Sequence, residues 1–259
     1  MKEKLDIVKV GGQVVEDEAG LGQLLKAFSA LEGRRILVVG GGRRATSIAA
    51  KLGIETRMVG GRRITDADML DVVTMVYAGL VNKKIVAGLQ ACGLNALGLS
   101  GADMNLILSE KRKAGDIDYG YVGDPSKVNV TALKALLEGG TVPVFCAITH
   151  DGKGQLLNTN ADTIASALAC ALAQEFDVTL TFCFEKDGVL ADPDDEGSVI
   201  RRMDRKQYAQ YLAQGTISGG MIPKLDNAFK ALEAGVTEVI ITKADAIGLN
   251  AGTTICWNC

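Results

Sequence analysis

Two lysines set beside glycine-rich turns are the residues of this chain best suited to chemistry. Lys9 ends an apolar stretch and runs into Gly11-Gly12, and Gly40-Gly41-Gly42 closes a second apolar stretch. Late in the sequence, Gly219-Gly220-Met221-Ile222-Pro223-Lys224 opens a helical pattern. Glycine lacks Cβ, so its backbone N–H groups can crowd around an anion, and a helix N-terminus adds partial positive charge. A neighbouring lysine contributes a mobile point charge suited to phosphate. Three such turns with two lysines predict a phosphate held from several sides, as phosphoryl transfer requires. Asn158-Thr159-Asn160-Ala161-Asp162 adds two amides and a carboxylate at a helix start. Capping needs only one of them; a spare amide can bind a polar substrate, and an aspartate between two lysines can hold both ammonium heads. Arg63, beside Gly60-Gly61, offers a fork for bidentate carboxylate capture, with a solvated hairpin arginine as the alternative.

A second reading stands beside this one. Gly40-x-Gly42-x-x-Ala45 fits the dinucleotide fingerprint, which wants an acidic residue about 20 positions further on. The chain offers Gly60-Gly61-Arg62-Arg63 there, so an NADP-dependent dehydrogenase stays open.

The elements that must position these residues alternate. Residues 6–10, 35–39, 95–99, 142–148, 178–184 and 239–242 read as strands, and residues 56–64 as a hairpin around Gly60-Gly61. Helical spacing covers 21–31, 45–52, 67–92, 131–138, 161–174, 205–213 and 221–234, while 105–129 reads as a protruding hairpin region. This order predicts an α/β fold, a mostly parallel central sheet covered by helices on both faces. Residues 1–259 are expected to form one domain, softly divided near residue 175.

Composition narrows the function classes. With 47% hydrophobic and only 5% aromatic residues, the core must be built from Leu, Val, Ile and Ala. A net charge of −3 argues against nucleic acid or an anionic membrane as partner. The charged opening Met1-Lys2-Glu3-Lys4-Leu5-Asp6 predicts no signal peptide, and no apolar run is expected to reach the ~20 residues of a bilayer span. A cytoplasmic protein is the expectation. The six cysteines read as small buried hydrophobes of a reducing compartment. Cys256-Trp257-Asn258-Cys259 has a metal-type spacing, but zinc needs four ligands and the one histidine, His150, sits in a distant turn. No metal site is predicted.

Taken together, Lys9-Val10-Gly11-Gly12, Gly40-Gly41-Gly42, Gly61-Arg62-Arg63-Ile64-Thr65, Asn158-Thr159-Asn160-Ala161-Asp162 and Gly219-Gly220-Met221-Ile222-Pro223-Lys224 resemble the N-acetylglutamate kinases of the amino-acid kinase superfamily. The likeness runs nearly end to end, through Asp68, Asn82-Lys83, Leu99-Ser100-Gly101 and Gly252-Thr253-Thr254-Ile255. It implies a three-layer αβα sandwich, an acylated amino acid bound in residues 1–175, and ATP in residues 176–259. It implies ATP-dependent phosphorylation of a γ-carboxylate to an acyl phosphate, in arginine biosynthesis. By matching positions, Lys9 and Lys224 would stabilise the transferring phosphoryl group and Asp162 would orient both. Gly41, Gly42, Arg63, Asn158 and Asn160 would bind the acylglutamate. Gly11, Gly12, Glu185, Lys186, Gly219, Gly220 and Met221 would bind ATP, with Mg²⁺ arriving on the nucleotide and no prosthetic group. A carboxylate nucleophile is already ionised near neutral pH, so no general base is needed.

The chain departs from the family pattern in places. Val39 precedes the three glycines where a histidine is usual, Arg43-Arg44 follows where proline is common, and Phe184-Glu185-Lys186-Asp187-Gly188 replaces a Ser/Thr-Asp loop. Two arginines at a helix N-terminus oppose its dipole, and a nearby anion would relieve that cost. Two readings stay open: Arg43 and Arg44 are two solvated arginines, whose exposed heads blunt that penalty, or the acyl group carries its own carboxylate, as in N-succinylglutamate, with one of them nearby. The short N-terminus favours a homodimer over arginine-regulated hexamers. An aminoadipate-type kinase, a uridylate kinase, a glutamate 5-kinase and a non-catalytic sensor on the same fold remain alternatives.

Overall fold

The computed structural model describes residues 2–257 apart from Pro193, residues 218–220 and Asn250. Strand β1 (Lys4–Val10) leads into the short helix α1 (Gly12–Glu16), then α2 (Glu18–Ser29), β2 (Arg34–Val39) and α3 (Gly42–Lys51). A hairpin follows, β3 (Met58–Val59) and β4 (Arg62–Arg63), and then one long helical run. That run comprises α4 (Ala67–Thr74), a π-helical stretch (Met75–Val81) and α5 (Asn82–Ala91). Next come β5 (Ala96–Leu99), β6 (Ile107–Lys111), β7 (Gly123–Val128), α6 (Val130–Glu138) and β8 (Val142–Cys146). Strands β9 (Ile148–His150) and β10 (Leu156–Asn158) precede α7 (Ala161–Leu172). The C-terminal part adds β11 (Asp177–Phe184), β12 (Arg202–Met203), α8 (Arg205–Ala213), α9 (Met221–Glu233), β13 (Glu238–Lys243) and β14 (Thr253–Ile255).

Eight strands form the central sheet in the order β12-β14-β13-β11-β1-β2-β8-β5. Every neighbouring pair is parallel except β13 with β14. The predicted mostly parallel sheet is therefore present. Strand β1 lies inside it and is buried from Leu5 through Val10, which requires cover on both faces. Side chains alternate along a strand: Lys9 reaches α7 on one face, while Asp6 faces the other beside Leu31, just past α2. Helix α7 packs on β1 and β11 and against α9, and α2 packs against α5. The arrangement is three-layered, α/β/α.

A second, four-stranded sheet, β10-β9-β6-β7, carries the predicted 105–129 hairpin as β6 and β7. The stretch 142–148, expected as one strand, divides at Ala147. There the chain leaves the central sheet for the small one, and Ala147 spends its carbonyl on the Thr159 N–H at 3.0 Å. The β3–β4 turn is Gly60-Gly61, with φ of +55° and +74°. Two successive left-handed residues are what a tight two-residue hairpin turn demands, hence two glycines.

The helical run 67–91 corrects one expectation. It is 25 residues long and contains an 18-residue window of mean hydropathy 1.4, enough by length and composition to cross a bilayer. One face of it instead enters the core, where Met69, Val73, Val76, Ile85 and Leu89 are all buried, while Met75 and Leu80 stay exposed. The cysteines also divide: Cys146 and Cys183 are buried thiols, Cys170 is half-buried, Cys92 is exposed, and Cys256 is disulfide-bonded rather than free. Cys259 lies outside the described residues.

Asn82 anchors the run to the sheet. Its side chain is buried, and its amide donates to the Val144 carbonyl of β8 at 2.8 Å. Asn82→Ala leaves a cavity and removes that bond, so a loss of about 1–3 kcal/mol is expected, lowering Tm by roughly 2–4 °C per kcal/mol. A thermal melt with an unchanged Tm would contradict this anchoring role.

Candidate active site

The carboxyl ends of parallel strands are where α/β folds bind ligands, and here two cavities meet at the end of β1. Lys9 and Gly11 line both. The first cavity continues over Gly41, Gly42, Arg63, Asn158 and Asp162. The second continues over Phe184, Glu185, Lys186, Met221 and Lys224. Among the described residues four helices, α1, α3, α7 and α9, begin at residues that line these cavities. Their positive ends create a field suited to a polyanion.

Lys9 is buried, and its charge is met by Asp162 with an Nζ–Oδ1 distance of 2.7 Å. An unpaired ammonium at that depth would cost several kcal/mol, so the pair is required wherever the lysine stays charged. Asp162 is held in place from the backbone. Asn160 caps α7, its Oδ1 accepting from the Asp162 N–H at 2.7 Å and the Thr163 N–H at 3.3 Å. The Asn160 oxygen thus does the capping work, although the residue also lines the first cavity. Asn158 is buried, and its amide donates to Thr65 Oγ1 at 2.9 Å, tying β10 to the segment after the Arg63 hairpin.

Lys224 enters from the first turn of α9. Burial lowers its pKa below the usual lysine range, and Lys9 pushes the same way, while Asp162 and Glu185 pull it back up. Its ammonium lies 3.5 Å from the centroid of the Phe184 ring. Gly219 and Gly220 fall outside the described residues.

Arg63 turns inward, whereas Arg62 is exposed at the mouth of the same cavity. Its guanidinium donates to the Gly42 carbonyl and to Thr46 Oγ1, both at 2.8 Å, and to Thr56 Oγ1 at 3.1 Å. It therefore fixes the glycine turn and the start of α3. That helix begins at Gly42, three residues earlier than its spacing suggested, so Gly41 is its N-cap and Gly42 its first residue.

Two residues that sequence reasoning missed belong to this cavity. Tyr77, on the π-helical stretch, packs so closely on Gly41 that a Cβ there would stand 2.7 Å from its ring. Only glycine fits. Burial pushes the Tyr77 phenol above its usual range, with Arg63 acting against the shift. Arg112 makes a bidentate pair with Asp124, one arm 2.9 Å long, and its guanidinium lies 5.6 Å from the Tyr119 ring centroid. Neither residue carries a local signal: Tyr77 reads as one more helix residue, and Lys111-Arg112-Lys113 as a solvated basic run.

Arg43 and Arg44 point elsewhere. Arg43 pairs with Glu185 at 3.6 Å, both side chains largely exposed, and Arg44 lines an adjoining groove with Glu16 and Lys84 that shares Gly12, Gly40 and Gly41 with the first cavity. Neither lines the Arg63 cavity.

This geometry has relatives. Residues 4–243 match the amino acid kinase family. The chain is 62% identical over 255 residues to an acetylglutamate kinase of Phocaeicola vulgatus, a match covering 98% of this chain and 99% of that one. An acetylglutamate kinase of Methanopyrus kandleri is 39% identical over 255 residues, covering 97% and 100%. Among solved structures, smu.665 from Streptococcus mutans aligns with a TM-score of 0.80 at 27% identity, over 97% of this chain and 98% of that one. Giardia carbamate kinase shares the fold at a TM-score of 0.70 and 13% identity, over 98% and 99%. A family match across nearly the whole chain leaves one conclusion about its descent: the chain belongs to the amino acid kinase family.

Proposed function

We propose that this enzyme transfers the γ-phosphoryl group of ATP to the γ-carboxylate of an N-acylglutamate, with N-acetylglutamate as the substrate its relatives' names indicate, as a step of arginine biosynthesis. The observation that carries the reading is the convergence of Lys9, Asp162 and Lys224 where two cavities meet. The Arg63 cavity, formed by residues before position 175, receives the acylglutamate, with Arg63, Asn158, Asn160, Gly41 and Gly42 around it. The Phe184–Lys224 cavity receives ATP, with Gly11, Gly12, Glu185, Lys186 and Met221 nearby. Family membership and the two-cavity layout favour this over a dehydrogenase.

In the reaction a γ-carboxylate oxygen attacks the γ-phosphorus, and the bond to the β–γ bridging oxygen breaks. ADP leaves with that electron pair. The nucleophile is already ionised, so catalysis reduces to in-line positioning and charge neutralisation. Lys9 and Lys224 offset charge on the phosphoryl oxygens, and Asp162 keeps Lys9 directed at them. The nearby carboxylates Asp162 and Glu185 are each committed to a cation of the protein, so Mg²⁺ is proposed to enter on the ATP phosphates. We further infer a cytoplasmic homodimer joined along the helical run 67–91, which leaves Met75 and Leu80 exposed.

The deciding assay is ATP-dependent acyl phosphate formation, trapped as the hydroxamate, with N-acetylglutamate and N-succinylglutamate in parallel. Turnover with one of them is expected, and Lys224→Ala should cost about 10²-fold or more in kcat. ATP binding without turnover of either substrate would favour the sensor reading.

Because Arg43 and Arg44 lie outside the Arg63 cavity, replacing both by alanine should leave the acetyl-to-succinyl ratio of kcat/KM unchanged. A changed ratio would assign them to the acyl group after all.

The Lys224 shift gives a pH prediction. Charged Lys224 is lost as pH rises through its pKa in the free enzyme, and burial lowers that value. The alkaline limb of kcat/KM should therefore fall below the ordinary lysine value of about 10.4. A limb at or above it would contradict a required, buried Lys224.

A further inference from the structure

Lys9 and Lys224 are balanced differently. Lys9 has Asp162 at 2.7 Å, whereas among the described residues Lys224 has no carboxylate within ion-pair distance. What stands next to Lys224 is an aromatic face: its Nζ is 3.5 Å from the Phe184 ring centroid, and Lys9 Nζ is 5.8 Å from the same ring. The ring has an aromatic neighbour on its own strand. Phe182 and Phe184 lie two residues apart on β11, so they share a face of the strand; their centroids are 6.4 Å apart with planes 29° from parallel. Phe182 is buried and in register with Lys9 across the β1–β11 pair. Lys9, Phe182 and Phe184 thus form one surface beneath α7, and Lys224 descends onto it from α9.

We propose that Phe184 is a positioning residue for phosphoryl transfer, its ring face holding the Lys224 ammonium over the junction of the two cavities until the triphosphate arrives. The inference rests on the kinase reading above. An aromatic partner suits this task better than a carboxylate. A carboxylate would neutralise the charge that the transferring phosphoryl group needs and compete with phosphate for it. A ring face attracts a desolvated ammonium and leaves its charge intact, so phosphate can take the lysine over. The cation is oriented without being cancelled.

The test compares wild type with Phe184→Leu, Phe184→Met and Phe184→Tyr, all first checked for wild-type-like melting. Loss of the ring should lower kcat about tenfold, the size of a partly desolvated cation–π contact, with KM for the acylglutamate unchanged. The alkaline limb of kcat/KM for MgATP should move to lower pH in the Leu and Met variants, because the ammonium loses its nearest attraction. Phe184→Tyr, which keeps the face, should restore both. Wild-type kcat and an unmoved limb in Phe184→Leu and Phe184→Met would overturn the proposal, as would a Tyr variant as impaired as the Leu one. A raised KM for ATP with unchanged kcat would make Phe184 a nucleotide-contacting surface and also overturn it.

A readout independent of turnover separates this inference from the kinase reading. After ¹³C-methylation of lysines, the Lys224 N-methyl protons should resonate upfield of the other methyl-lysines through the ring current. That displacement should vanish in Phe184→Leu. No upfield resonance in the folded wild type would sink the Phe184 proposal whatever the enzyme phosphorylates, whereas the resonance without acyl phosphate formation would sink only the substrate assignment.

Discussion

The ion pair between Lys9 and Asp162 is the constraint around which the site is organised. Lys9 sits on the inner strand β1, where both faces are covered, and a charge in that position is tolerated only with a partner. The partner comes from α7, on the far side of a crossover between the two sheets. Satisfying Lys9 therefore fixes where α7 begins, and Asn160 sets the start to the residue by capping it. The lysine is also one of the residues shared by both cavities. Folding energetics and the proposed chemistry thus ask for the same pair.

The rest of the site follows from where parallel strands end. Crossover connections bring helix N-termini to that edge, and α1, α3, α7 and α9 all begin there. Glycine makes the close approaches possible, most sharply at Gly41 under the Tyr77 ring. Arg63 then locks the turn by bonding the Gly42 carbonyl, and the Arg112–Asp124 pair, at the end of the β6–β7 hairpin, lines the same cavity. In the proposed reaction this enclosure supplies positive charge from fixed dipoles and lysines together. No side chain has to act as a base.

Much of this was legible along the chain, for physical reasons. Strands ended by glycine turns, the Gly60-Gly61 hairpin and the Ala-rich α7 all announce themselves through local backbone requirements. Lys9, Asp162 and Lys224 stood out because charges at the ends of apolar elements need a purpose, and the structure brings the three to one place. Other features depend on partners far away in sequence. The division of 142–148 at Ala147 is hidden because apolar residues flank it on both sides. The π-helical stretch that carries Tyr77 and the inward turn of Arg112 leave no local pattern. Arg43 and Arg44 are the converse case: their position at a helix start is conspicuous, while their surroundings, Glu185 for one and a groove with Glu16 and Lys84 for the other, are set by residues distant in sequence. Asn160 shows how one residue can meet a structural need in a place that also looks like a binding site.

In the proposed reaction, phosphoryl transfer takes place between the two cavities, at Lys9. The most direct test is a crystal structure with N-acetylglutamate and a non-hydrolysable ATP analogue bound together. The acylglutamate is expected in the Arg63 cavity, the nucleotide in the Phe184 cavity, and the γ-phosphoryl group between them within reach of the Lys9 and Lys224 ammonium groups. A nucleotide seated in the Arg63 cavity, or a γ-phosphoryl group remote from Lys9, would contradict it.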